Sequence, residues 1–461
     1  DFIIYCIRKS YILKKDMFIE KNQNYLIVLG AFFIQLTLGG FYTSGNIQPI
    51  IVNFMQNYSS SQTSVTMENS VWIFGVLLLG MGAAISLGGF IEMQIGPTKT
   101  VLIGGWVMSF NICLMFVTMK SYLSIVIISY GLIGGFGMGV AYGVSLGTPL
   151  KYFPKCKGLI FGIVVSGISF SSIIFDAVQD SIIYKGKEII MNRLPMSFLI
   201  LGFIYSVIQL VGSILMKKRT KDKKEERSSQ NYSPEASDGD QKLDFPKLKI
   251  LNNPPELQTH HLLFVLDFWI LWMIMFLNSF CVSLITSLFN RYSAVLVNET
   301  SFNLKVIVTI AKIFNCFGRI FWGFAIDKQS FKMLMLIITL TISFMIGILP
   351  VISTLKVSWH LPTFAVWFIV IHFFLSGTFS IFPIVCCKLF GMKYFVCNYG
   401  LLFTSCSVGG TIISLVIMLV FPEFSSTPLV FRNMVIIGVI LSFLAALLTL
   451  LYRGKSAIVI F

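Results

Sequence analysis

Arg319 lies near the middle of residues 304–326, a stretch otherwise apolar enough to cross a bilayer. An arginine at the centre of a spanning helix costs about 3 kcal/mol on insertion scales, so it faces a protein interior or a wet cavity and marks a substrate or ion path. Its guanidinium presents a planar fork that matches the two oxygens of a carboxylate and stays charged. No acid lies within two turns of it on its own helix. Such a group is suited to replacing the hydration shell of a small carboxylate at membrane depth. Lys312 stands seven residues earlier, on the same helical face and about 10 Å away along the axis. Asn315 shares that face. Lys312 reads either as a second cation in the path or as a side chain that snorkels toward the outer surface. His372 falls mid-way in another apolar stretch and is the only histidine at membrane depth. A reference pKa near 6.5 makes it a candidate proton carrier; an interhelical hydrogen bond is the alternative.

The elements that must position these residues are membrane spans. The chain is 56% hydrophobic and only 12% charged, with a mean hydropathy of +0.83, where soluble proteins are about 45–50% apolar and about 25% charged. A span needs about 20 mostly apolar residues. Twelve stretches meet this: 25–48, 71–91, 100–117, 122–146, 158–178, 198–216, 267–288, 304–326, 333–353, 361–382, 399–421 and 434–452. Between the sixth and seventh, residues 217–263 are rich in Lys, Glu, Ser and Asp, a composition that predicts disorder. The expected domains are a cytoplasmic segment 1–24, bundles 25–216 and 264–453 flanking linker 217–263, and a tail 454–461.

With the N-terminus placed in the cytoplasm, the cytoplasmic segments hold 25 of the 35 Lys and Arg residues, against 7 on the opposite side. That asymmetry puts both termini in the cytoplasm. The net charge of +15 is therefore a topology signal and argues against a nucleic-acid partner. Sequons at Asn57 and Asn298 fall on the opposite side. The nine cysteines read as small buried hydrophobes without metal-ligand spacing. The His260-His261 pair in the polar loop reads as no metal site. The glycines of the fourth stretch (131, 134, 135, 137, 139 and 143) read as close helix packing, not a nucleotide fingerprint. There is no nucleophile elbow, no HExxH and no evident membrane-embedded acid pair, so an enzyme is not expected. Residues 1–24 lack the apolar core of a signal peptide.

Internal repetition divides the chain in two. GGFIEMQIGPTKT follows the second stretch and WGFAIDKQSFK the eighth, with Gly89 and Gly323 separated by 234 positions. Lys151-Tyr-Phe153 and Lys388-Leu-Phe390 open the loops after the fourth and tenth, 237 apart. Two features at nearly one offset argue for duplication, the plan of many secondary transporters, whose site lies at the repeat interface near the midplane.

These residues resemble the major facilitator superfamily. Its loop motif, Gly-x-x-x-Asp-Arg/Lys-x-Gly, is matched by Gly323, Asp327 and Lys328, with Ser330 in the last place. In the first half Gly89 and Gly96 fit, but Met93 and Gln94 take the Asp and Arg places and Glu92 lies one residue early, leaving the usual charge latch unfilled. GGFYTSGN, GMGVAYG with KYFPKCKGLIFGI, NCFGRIFWGFAIDK and KLFGMKYFVCNYGLLFTS are similar to the oxalate/formate antiporter and monocarboxylate carrier branch. The Phe-, Ile-, Lys- and Asn-rich composition resembles that of proteins from AT-rich protist genomes such as apicomplexan ones.

The resemblance implies an all-α membrane protein with twelve transmembrane helices in two six-helix pseudo-symmetric halves. It implies that Arg319 binds a substrate carboxylate, that Tyr42 and Tyr142 line the cavity, and that loop residues Gly89, Gly96, Gly323, Asp327 and Lys328 govern the conformational change. The family's span-eleven lysine, which partners that arginine on a dicarboxylate, is replaced by Cys406. A monoanion such as pyruvate, lactate or formate fits one arginine better, unless Lys312 restores the second charge. The expected partners are a small carboxylate, a co-transported proton and the lipid bilayer, with no cofactor and no metal, in a monomer of the plasma membrane or an organelle such as a plastid. A dicarboxylate/formate exchanger and a transport-inactive sensor of the same fold are the alternatives.

Overall fold

The computed structural model describes residues 22–40, 44–59, 65–185, 188–217, 256–296, 301–352, 357–424 and 428–452. Helix α1 spans 22–38 and α2 spans Ser44–Tyr58. There follow α3 (Met67–Ile95), α4 (Pro97–Thr118), α5 (Leu123–Leu150) and α6 (Lys157–Ile183). A hairpin of β1 (Tyr184–Lys185) and β2 (Glu188–Ile189) leads to α7 (Leu194–Leu215). The second half contains α8 (Leu266–Leu296), α9 (Ser301–Lys328), α10 (Phe331–Ile352), α11 (Val357–Phe390), α12 (Phe395–Phe424) and α13 (Pro428–Leu451). Among the described residues, eleven helices are long and apolar enough to cross a membrane.

Within the first expected span, 25–48, α1 passes into a short 3-10 turn at Gly39-Gly40, where a glycine pair weakens the helical ladder; residues 41–43 lie outside the described residues. Gly39 abuts Ile168 and Ser171 of α6 so closely that a Cβ would overlap both. Helix α3 ends where Gly96 adopts φ 84° and Pro97 starts α4; glycine supplies the left-handed turn and proline tolerates the first helical position.

Among the described residues, two helix pairs make the most extensive contacts between the halves, and both run antiparallel. In α3 and α12, Gly75 packs on Ser414, Gly82 on Ser407 and Gly89 on Cys397. In α6 and α9, Gly158 packs on Gly323, Gly162 on the Arg319 carbonyl, and Asp180 meets Lys305. Gly89 with Cys397 and Gly323 with Gly158 thus occupy matching ends of the two pairs, which turns the 234-residue repeat into an approximate twofold relation. That end, which carries the loop motifs, is called the motif end below.

The polar linker expected over 217–263 is not uniformly unstructured. Residues 218–255 lie outside the described residues, but Thr259–Phe264 form a 3-10 helix strapped to the motif end. Leu257 N donates to the Phe390 carbonyl at 3.1 Å. Asn398 Nδ2 donates to the Leu257 carbonyl at 3.0 Å while its Oδ1 accepts from Thr259 Oγ1 at 2.8 Å. Apolar Leu257 and Leu262, which composition averages hide among charged neighbours, supply the packing.

Candidate functional site

Helix α9 carries Lys312, Asn315 and Arg319 along one face, as the spacing predicts. Arg319 is 7% exposed, and its Nε donates to Asn315 Oδ1 at 3.1 Å. The same oxygen accepts from Ser169 Oγ of α6 at 2.7 Å. Asn315 Nδ2 donates to the His372 carbonyl of α11 at 2.9 Å. Asn315 therefore holds one edge of the guanidinium against both α6 and α11. The guanidinium carbon stands 5.9 Å from the ring centre of Phe379. Among the described residues no carboxylate pairs with Arg319, and its two terminal nitrogens have no hydrogen-bonding partner. The terminal guanidinium nitrogens have the donor geometry that suits a carboxylate.

Lys312 is in a different situation. Its Nζ lies 2.6 Å from Asp176 Oδ2 of α6, with both side chains largely sheltered. It neither snorkels nor stands free. Farther from the motif end, Lys305 pairs with Asp180 at 3.0 Å. Asp176 and Asp180 contradict the expectation that no acid pair is embedded in a span: both belong to α6, which continues to Ile183 beyond the expected end at 178. Asp176 already lay inside those bounds, and the rule that singles out Arg319 applies to it equally.

The other sequence candidates fall in separate places. His372 Nδ1 lies 2.9 Å from the Phe368 carbonyl on its own helix, and its ring centre is 4.1 Å from that of Phe368. It reaches the arginine network through its main chain. Tyr142 is buried where α5 meets α12, with its ring 5.7 Å from Phe403 and 6.4 Å from Tyr399. Cys406 is buried between α8 and α12 and accepts a hydrogen bond from Ser279 Oγ at 2.8 Å. Tyr42 lies outside the described residues.

Buried polar atoms without a partner mark where a polar interior must be completed by water or a ligand. Among the described residues they are Gln35 Oε1 on α1, Ser171 Oγ on α6, Asn278 Oδ1 on α8 and Thr378 Oγ1 on α11. Gln35, Ser171, Asn278 and Thr378 each lie roughly 20 Å in from the motif end at 1.5 Å per residue. Arg319 is about 14 Å in by the same measure. Both halves thus contribute unsatisfied polar groups near the level of the free cation.

At the motif end, Asp327 spans the halves. Its Oδ1 accepts from Gly158 N at 2.8 Å and its Oδ2 from Leu159 N at 2.9 Å, capping the N-terminus of α6. The carboxylate meets two orphan donors and the positive end of the helix dipole. Gly323 lets the backbones meet, since a Cβ there would overlap the Gly158 carbonyl. Lys328 Nζ sits 4.9 Å over the Phe324 ring, and Lys388 Nζ donates to the Ile326 carbonyl at 2.7 Å. In the first half, where Met93 and Gln94 take the latch positions, Glu92 supplies a charge. Glu92 is buried and pairs with Lys151 Nζ at 2.8 Å. A shift of one residue turns a side chain about 100° around a helix, so Glu92 faces the loop after α5 and ties its own half instead of reaching across.

Two helical halves joined by antiparallel helix pairs, with eleven helices among the described residues long and apolar enough to cross a membrane, have the architecture of a membrane transporter. The comparisons agree. Residues 27–414 match the Major Facilitator Superfamily, and the chain belongs to that family. Apicoplast pyruvate carrier 1 of Toxoplasma gondii is 23% identical over 458 residues, covering 82% of this chain and 80% of that protein. The oxalate:formate antiporter of Oxalobacter formigenes is 25% identical over 320 residues, covering 68% of this chain and 66% of the antiporter. The solved structure of the proton:xylose symporter XylE, bound to 6-bromo-6-deoxy-D-glucose, superposes with a TM-score of 0.62 at 13% identity. It covers 94% of this chain and 98% of XylE, a likeness of fold.

Proposed function

We propose that this chain is a secondary transporter that moves a small organic monocarboxylate, of the size of pyruvate, lactate or formate, by rocking its halves about the site near Arg319. The observation that carries the reading is a charge count. Of the two cations deep in α9, Lys312 is neutralised by Asp176, Cys406 supplies a thiol where the branch places a lysine, and Arg319 alone is left without a carboxylate. One free guanidinium matches one carboxylate. The names of two relatives, a pyruvate carrier and an oxalate:formate antiporter, support the substrate class. The Asp327 cap, which crosses between the halves, favours a working carrier over a transport-inactive sensor.

Both termini are taken to face the cytoplasm, and the name of the Toxoplasma relative makes an organellar membrane the first to examine by tagging. A co-transported proton would cancel the charge of a moving monoanion. The test is counterflow in proteoliposomes with labelled formate, lactate, pyruvate and oxalate. Counterflow of a monocarboxylate with little of oxalate is expected; flux of none of them would refute the reading.

A further inference from the structure

Three cations recur on α9 at seven-residue steps: Lys305, Lys312 and Arg319. Two turns separate each from the next, about 10 Å along the axis, so all three present to the same neighbour. That neighbour is α6, and it answers the outer two with carboxylates. Lys305 meets Asp180 at 3.0 Å and Lys312 meets Asp176 at 2.6 Å. At the level of Arg319, α6 offers Gly162 and Ser169 instead. The outer pair is about half exposed on each side, while the Asp176 and Lys312 side chains are 21% and 18% exposed. Exposed pairs matter little energetically; removing one partner of a sheltered pair leaves the other as a live charge.

We infer that Asp176 sets the charge of the substrate: by neutralising Lys312 it restricts the site to one carboxylate, and without its charge Lys312 and Arg319 would together hold a dicarboxylate. Asp176 acts through Lys312 and is a positioning residue, not a substrate ligand. Among the described residues, the other ionisable groups recorded beside the pair are Tyr205 of α7 near Asp176 and His372 of α11 near Lys312, and neither carries a fixed negative charge that would replace Asp176. The gap between the two cations suits a three- or four-carbon dicarboxylate better than oxalate, whose two carboxylates share one bond. The inference rests on the carboxylate reading above and adds the element that limits it to monoanions.

The experiment measures counterflow of labelled lactate, competed by unlabelled lactate, malonate and succinate, in wild type, Asp176→Asn and the double variant Asp176→Asn/Lys312→Met. In Asp176→Asn the ratio of succinate to lactate potency should rise at least tenfold, about 1.4 kcal/mol. The double variant should return to within about twofold of the wild-type ratio, because the freed cation is gone. An unchanged ratio in folded, active Asp176→Asn overturns the inference, as does a raised ratio that persists in the double variant. Should Asp176→Asn fail to fold, Lys312→Met decides. It leaves Asp176 as an uncompensated negative charge, so affinity for lactate and succinate should both drop tenfold or more, and unchanged affinities would place the pair outside the substrate's field. Wild type inactive with every monocarboxylate would instead remove the carboxylate reading itself.

Discussion

Removing the Asp327 carboxylate should release the motif end. In the structure that side chain accepts two backbone hydrogen bonds, at 2.8 and 2.9 Å, from Gly158 and Leu159 in the other half. Hydrogen bonds to a charged group contribute about 1.5–3 kcal/mol each. Asp327 is half-buried, so the lower figure applies, giving about 3 kcal/mol for the pair. Because they join residues of different halves, separating the halves at the motif end would break them. Asp327→Ala should therefore shift the closed-to-open ratio by roughly a hundredfold, and Asp327→Asn, which keeps one acceptor without the charge, by roughly tenfold. Spin labels at Lys155→Cys and Gln329→Cys, in a background with the native cysteines replaced, report the distance across this latch. A longer-distance population that grows from wild type through Asp327→Asn to Asp327→Ala is expected. An unchanged distribution in folded Asp327→Ala would refute the reasoning, leaving helix packing between the halves to account for the closure.

Gly158→Val should block that closure from the other side, because any Cβ overlaps the Gly323 carbonyl; the same labels should then report the longer distance, with counterflow reduced at least tenfold. Cys406→Lys places a cation between α8 and α12, and competition assays should show succinate or oxalate gaining potency relative to lactate. Uptake driven by an inward proton gradient at clamped potential tests coupling: His372→Gln, which hydrogen-bonds but does not titrate, should weaken it if the ring carries the proton. A pH step without effect on wild type would make the carrier an exchanger or uniporter.

Much of the architecture was legible because a span is a one-dimensional signal. Runs of about 20 apolar residues need no partner to be recognised, and a shared offset near 234 marked the two halves before their matching interfaces were seen. Arg319 was legible for the same reason: a charge in an apolar run stands out alone. What failed to show was pairing between helices. Lys312 read as free because its carboxylate sits on α6, 136 positions away, and spacing along one helix says nothing about a neighbour. Glu92 read as misplaced because the motif was matched by register, whereas its 100° rotation gives it Lys151. The strap at Leu257 and Thr259 was lost in the average of a charged linker. Ser169 and Phe379 belong to the site by virtue of tertiary contact, and no local pattern distinguishes them from packing residues.

The most direct measurement is monocarboxylate counterflow by Arg319→Lys in proteoliposomes, beside wild type at matched protein content. A point ammonium keeps the charge but not the two-pronged donor geometry, and it loses the Nε bond to Asn315 Oδ1 that orients the fork. Expression near normal with flux reduced at least tenfold, about 1.4 kcal/mol, is the predicted result. Flux in Arg319→Lys equal to wild type would contradict the assignment of Arg319 as the carboxylate anchor.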